Sequence, residues 1–276
     1  MSPDSTVKSL EVATVDGYTI ELSLRGNGPP LLLIHGWTLD QRSFAPQFDA
    51  LSKAMTVISY DRRGFGRSTA PPNLDTELED IDAILGALQL QTVHMLGVSQ
   101  GGRLALRYAV TRPDRLLSLI LQGAPLDGFA VEESAEEQIP LAHFQALALD
   151  GKMDSLREQW LAHPLMSAGI EDPELAAGIA NIVADYSGAD LTAKTASPPR
   201  AMDVIGILPT LDCPTLVLSG ALETASRRAH ARKICALLPG SREVVMQHSG
   251  HLSNLTEPDA YNKSVLDFCL DVEANR

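Results

Sequence analysis

The sequence predicts an α/β fold: a mostly parallel sheet of eight strands with helices on both faces and a helical segment inserted late in the chain. Three observations predict it. Short apolar runs bounded by turn residues alternate with segments whose apolar residues recur at helical spacing, as in βα units whose strands are buried on both faces. The chain opens instead on two alternating stretches about a turn, the pattern of an antiparallel hairpin. Between residues 127 and 205 the strands stop.

The elements follow in order. "VKSLEVATVDGYTIELSLRG" gives the hairpin, turning at Asp16-Gly17. "GNGPP" breaks the chain, and "LLLIHG" and "TVISYD" read as buried strands on either side of a helical "FAPQFDALSKA". From Thr76 to Leu90, the residues Leu78, Ile81, Ile84, Leu85 and Leu88 keep helical spacing. "VHMLGVS", "QGGRLALRYAVTRP" and "LLSLILQG" continue as strand, helix and strand, and "TLVLSG", "RRAHARKICALLPG" and "REVVMQ" repeat that order. A last helix is expected from Pro258 to Leu270. Residues 127–205 are Ala-rich, carry helical patches such as "AHFQALALDG" and "DSLREQWLAH", and end near a linker-like "SPPRAMD". The expected organisation is a core of residues 1–126 and 206–276 with a helical cap at 127–205.

Bulk properties narrow the function classes. The chain has 276 residues, ample for a buried core, and a formal net charge of −13. That charge argues against nucleic acid or an anionic membrane as partner, because both are held through basic surface. Cys213, Cys235 and Cys269 are scattered and odd in number, which suits a reducing compartment rather than a disulfide framework or zinc site. The start "MSPDSTVKSLE" lacks the charged-then-apolar order of a signal peptide, and no apolar run nears the roughly 20 residues that span a bilayer. The expectation is a cytoplasmic protein.

The chemistry centres on "HMLGVSQGGRLALRYA". Ser99 lies between a strand and a helix, with Gly97 two residues before it and Gly101 two after. This is the context of a nucleophile elbow, where the turn is too tight for side chains at the two glycines. The helix that follows points its positive end at the serine. A serine hydroxyl needs a base. His251 in "MQHSGHLSNLTEP" is best placed, after the last strand, with His248 as the alternative; the pair's H-x-x-H spacing has no third ligand to make a metal site. The acid that orients the base should lie between serine and histidine in the chain. Glu223, three residues past the glycine that ends a strand, is the first candidate, and Asp127 in "LQGAPLDG" the second. The oxyanion-hole N–H groups expected are those of Gln100, just after the serine, and Trp37, just after "LLLIHG".

Together "LLLIHGW", "SYDRRGFGRST", "GVSQGG" and "SGHLSNLTEP" resemble the α/β-hydrolase superfamily over nearly all of the chain. The resemblance implies the eight-stranded α/β-hydrolase sheet, Ser99 as nucleophile, His251 as base, Trp37 and Gln100 as oxyanion donors, and a cap at 127–205. "DRRGFGRST" looks like the turn of small esterases and cofactor-free haloperoxidases, and the segment from Gly250 looks like that of 3-oxoadipate enol-lactonases. Serine at the elbow counts against haloalkane dehalogenases and epoxide hydrolases, which carry aspartate there. One departure is glutamate in "GALETAS" where relatives usually carry aspartate, which puts the identity of the acid in doubt.

The expected function is therefore a serine hydrolase acting on a small carboxylic ester or lactone through an acyl-enzyme, with no metal or organic cofactor. The rivals are carbon–carbon bond hydrolysis, haloperoxidase-like chemistry, and a non-enzymatic small-ligand receptor on the same fold. Apolar cap residues line a pocket or pack on themselves, and their exposed part leaves room for a homodimer. Arg157 and Arg200, the cap's two arginines, are candidates for a substrate carboxylate if the lactone is acidic.

Overall fold

The computed structural model describes residues 7–193 and 202–276. Arg200 and most of the linker-like stretch lie outside them. Strands β1 (Lys8–Ala13) and β2 (Thr19–Arg25) form the hairpin, and β3 (Pro30–Ile34) follows. Then come α1 (Ala45–Leu51), β4 (Thr56–Tyr60), α2 (Glu77–Ala87), β5 (Val93–Val98), α3 (Gln100–Thr111) and β6 (Leu116–Gln122). The insertion carries α4 (Leu141–Leu149), α5 (Met153–Leu161), α6 (Pro164–Ser167), α7 (Pro173–Ala184) and α8 (Ala189–Thr192). The chain ends with α9 (Val204–Ile207), β7 (Thr215–Gly220), α10 (Ala225–Leu237), β8 (Arg242–Met246), α11 (Ser253–Thr256) and α12 (Pro258–Ala274).

The eight strands make one sheet in the order β1-β2-β4-β3-β5-β6-β7-β8. β1 and β2 are antiparallel to each other, as are β2 and β4, and every later pair is parallel. The inner parallel strands are mostly apolar and buried because alternate residues face opposite covered layers, whereas β8 at the edge exposes Arg242 and Glu243. In β3, Leu32 and Ile34 pack with Ile81 and Ile84 of α2, Leu104 of α3 and Ile234 of α10. Leu31 and Leu33 pack on the other side with Leu51 of α1 and Tyr261, Val265 and Phe268 of α12. That second layer carries α12 past the expected end at Leu270, since Cys269 and Val272 still pack on it.

A third cluster sits beyond the carboxyl ends of the strands. Trp37, Leu39 and Phe65, from the loops after β3 and β4, pack with Phe144, Trp160, Leu165, Met166, Val183 and Tyr186 of the insertion and with Leu252 and Leu255. The inserted helices thus cover the strand ends, where open parallel sheets place their ligands. Among the described residues, no helix is long and apolar enough to cross a membrane.

Candidate active site

Ser99 occupies the residue between β5 and α3 with φ 53° and ψ −118°, a left-handed backbone that costs a non-glycine residue energy. Local sequence makes the turn feasible. A Cβ at Gly97 would lie 2.4 Å from the Gly101 carbonyl oxygen, and one at Gly101 would lie 2.2 Å from the Ile34 carbonyl oxygen. Only glycine permits these approaches. The Ser99 N–H donates to the Gln122 carbonyl at 2.7 Å, which ties the turn to the end of β6, and the side chain remains half-buried at the start of α3.

The histidine reaches the same place from the other end of the chain. His251 follows β8 and is buried, with its Nδ1–H donating to Glu223 Oε2 at 2.5 Å. Glu223 Oε1 accepts the Thr224 N–H at 2.9 Å, so both carboxylate oxygens are engaged. Burial opposes ionisation of Glu223, but His251, that N–H and the nearby Arg227 outweigh it and hold the carboxyl below its ordinary range. With Nδ1 protonated by this pairing, Nε2 of a neutral ring is the basic atom.

Ser99 and His251 meet at β6. Gln122 accepts the Ser99 N–H through its carbonyl, and its side-chain Nε2 donates to the His251 carbonyl at 2.8 Å and to Asn254 Oδ1 at 3.1 Å. The next residue, Gly123 (φ +55°), faces the imidazole: a Cβ there would lie 2.5 Å from His251 Cε1 and 3.2 Å from Glu223 Oε2. Among the described residues, no hydrogen bond joins Ser99 Oγ to His251.

The loop after β3 completes the group. A Cβ on Gly36 would lie 3.4 Å from Ser99 Cβ, so the loop runs alongside the serine at Gly36, the residue before Trp37. Among the described residues, no hydrogen bond engages the backbone N–H of Trp37 or of Gln100. The Trp37 indole is fixed from the insertion: its Nε1–H donates to Asp190 Oδ2 at 2.7 Å, while the Tyr186 hydroxyl donates to Asp190 Oδ1 at 2.6 Å. Trp160 Nε1–H donates to Thr38 Oγ1 at 2.7 Å, holding a residue whose own φ is 61°.

The structure thus brings Ser99, His251, Glu223, Trp37 and Gln100 together, and it leaves the other candidates elsewhere. Asp127 accepts Arg103 Nε–H at 2.6 Å and an Arg107 Nη1–H at 3.0 Å, facing α3 rather than the imidazole. His248 is exposed, with its N–H on Glu257. Arg157 donates twice to the Tyr186 carbonyl and once to Asp154, which ties α5 to the segment before α8. His35 lies just past β3 rather than within it and is fully buried. Sequence reading missed Gln122 and Asn254, which fasten the histidine loop. Asn254 stands one helical turn after His251, and that spacing was the available signal.

The comparisons agree with this architecture. A family model described as the alpha/beta hydrolase fold matches residues 29–151. The RutD protein of Pseudomonas savastanoi, named as a candidate carbamate hydrolase, is 26% identical over 91% of this chain and 97% of its own length. The 3-oxoadipate enol-lactonase 1 of Acinetobacter baylyi is 25% identical over 93% of this chain and 95% of its own. Among solved structures, an esterase from Exiguobacterium antarcticum superimposes with a TM-score of 0.80 at 27% identity, covering 95% of this chain and 99% of that one.

Proposed function

We propose that this chain, a hydrolase of the α/β-hydrolase superfamily, cleaves a small carboxylic ester or lactone with Ser99 as nucleophile, His251 as base and Glu223 as orienting acid. The observation that carries the reading is the buried Glu223–His251 hydrogen bond, set against the same Gln122–Gly123 segment that holds the strained Ser99 turn. The names of the relatives, which refer to a carbamate, an enol-lactone and esters, support a carbonyl substrate.

The steps follow from the atoms. Ser99 Oγ attacks the substrate carbonyl carbon as His251 Nε2 takes its proton. The imidazolium is stabilised by Glu223, which also holds the ring in the Nδ1–H tautomer. Negative charge gathers on the former carbonyl oxygen, where the unengaged N–H groups of Trp37 and Gln100 would donate to it. One such donor is typically worth about 10²–10³ in turnover. Collapse expels the alcohol oxygen, which takes the proton from His251. Water then attacks the acyl-enzyme, with His251 again as base, and releases the acid and the free serine.

The test is steady-state hydrolysis of p-nitrophenyl acetate and of an enol-lactone by wild type beside Ser99→Ala. The reading expects turnover in wild type and a loss of about 10⁴-fold or more in the variant. Equal rates in the two proteins would remove Ser99 from the mechanism, and preference between the substrates would separate esterase from lactonase.

A further inference from the structure

The "DRRGFGRST" segment holds a charged side chain for which the proposed mechanism has no use. Arg62 is fully buried, as is Glu77 of α2. The two form a bidentate pair, Nε–H to Oε2 at 2.7 Å and Nη2–H to Oε1 at 3.0 Å. Burying such a pair is costly, and well-packed apolar residues would often serve stability as well. Stability alone therefore gives a weak account of it.

The rest of the guanidinium points elsewhere. Its Nη1–H groups donate to Gln100 Oε1 at 2.8 Å and to the His35 carbonyl at 3.3 Å. The Arg62 backbone N–H donates to His35 Nε2 at 2.9 Å, and the ring's Nδ1–H donates to the Gly36 carbonyl at 2.8 Å. Those tautomer roles require a neutral imidazole, and burial followed by the Arg62 charge pushes His35 down to about 3. Phe65 lies against both, its ring edge-on to His35 at 5.5 Å and under the guanidinium at 5.3 Å. One residue thus grips Gln100, the first residue of α3, and His35, whose ring in turn holds the Gly36 carbonyl just before Trp37. These are the two segments that carry the unengaged N–H groups beside Ser99.

We propose that Arg62 is a positioning residue for the oxyanion hole, its guanidinium fixing the distance between the Gln100 and Trp37 backbone N–H groups. The inference rests on the serine-hydrolase reading above. Glu77 serves the guanidinium: two of its nitrogens, Nε and Nη2, are locked, so the third, Nη1, is aimed at Gln100 and His35. A spacing set this way matters more for the transition state than for the bound ester, because the oxyanion is where the donors converge.

The experiment compares wild type with Gln100→Met, which keeps the backbone N–H but removes the acceptor for Arg62, and with the paired replacement Arg62→Met/Glu77→Leu, which leaves no buried charge unmatched. The single change Arg62→Met is avoided because it would strand Glu77. Two readouts are taken, kcat and KM on p-nitrophenyl acetate and the inhibition constant of a trifluoromethyl ketone that mimics the tetrahedral adduct. The proposal expects both proteins to fold with native circular dichroism. It also expects kcat about 10-fold lower with KM within twofold, and weaker ketone inhibition in proportion. Adding Gln100→Met to the paired variant should cost nothing further, because the Arg62–Gln100 contact is already absent there. Folded variants with kcat and ketone affinity within twofold of wild type would overturn the positioning role and leave the hydrolase reading standing. Failure of the paired variant to fold leaves Gln100→Met to decide, by the same criterion. Absence of turnover in wild type would overturn the hydrolase reading and the role of Arg62 with it.

Discussion

At the ends of β5, β6 and β7 the chain is held by buried polar contacts, whereas the helices inserted between β6 and β7 reach the same region chiefly through aromatic rings. On the first side, Gln122, Asn254, Glu223 and Arg62 each satisfy several partners, and each contact is directional. On the second, Trp37 meets Trp160 at 4.8 Å and Tyr186 at 5.8 Å, and indole N–H bonds to Asp190 and Thr38 add the direction that rings alone lack. Satisfied hydrogen bonds in a buried network rigidify the groups they join, while apolar contacts tolerate repacking. The difference teaches where change should be felt: along the strand ends as lost chemistry, in the inserted helices as altered stability.

The sharpest way to break that comparison is at Glu223. Glu223→Gln keeps the shape but reverses the hydrogen-bond preference at His251 Nδ1, and kcat should fall by about 10³–10⁴. Asp127→Asn, on the neighbouring strand end, should change kcat less than tenfold while lowering the unfolding midpoint, because it is bound to Arg103 and Arg107. Kinetics with thermal unfolding on both variants check this, and equal kinetic losses would end the distinction between the two carboxylates.

Gly123→Ala tests the packing of the same group. The added methyl would displace His251 from Glu223, and a displacement of about 1 Å predicts a loss near 10²-fold in kcat. A variant with wild-type kcat would show that the imidazole does not depend on β6 for its place.

The polar side also predicts a pH dependence. His35 is held to about 3 in the folded chain, against about 6.5 when unfolded. Between those values the unfolded chain binds a proton that the folded chain does not. Stability is therefore lost as pH falls from about 6.5, by up to roughly 1.4 kcal/mol per pH unit from this residue. Glu223 works in a lower window: its carboxyl is depressed, so its contribution is complete above about 4.3 and is lost only as pH falls through its folded value. Denaturant titrations at pH 7 and pH 5 should show a smaller loss for His35→Asn than for wild type. An identical loss would deny the buried neutral imidazole its role.

The smallest effect belongs to the inserted helices. Trp160→Phe removes the N–H bond to Thr38 and keeps most of the ring contact, so stability should fall by about 1 kcal/mol. The rate should change less than in Gly123→Ala, and a larger kinetic loss would mean that the insertion controls the loop of Trp37 as strictly as the strand ends control His251.

Much of this molecule was legible in its sequence because local physics leaves its mark there. The inner parallel strands are rich in Leu, Ile and Val because both faces are covered, and "GVSQGG" needs glycine wherever backbone comes within about 2.4 Å of a would-be side chain. The chain order of Ser99, Glu223 and His251 was also readable, since each lies just past a strand. What the sequence left open was which carboxylate meets His251. Glu223 and Asp127 both follow strands, and only the partners each one meets in space, His251 for one and two arginines for the other, separate them. The same holds for "DRRGFGRST", whose arginines read as a turn until Glu77, Gln100 and His35 close around Arg62. Chain neighbours determine strands, turns and tight approaches, because those depend on backbone sterics within a few residues. Which charges pair in the interior depends on desolvation and on partners from distant segments, and only the assembled sheet decides that.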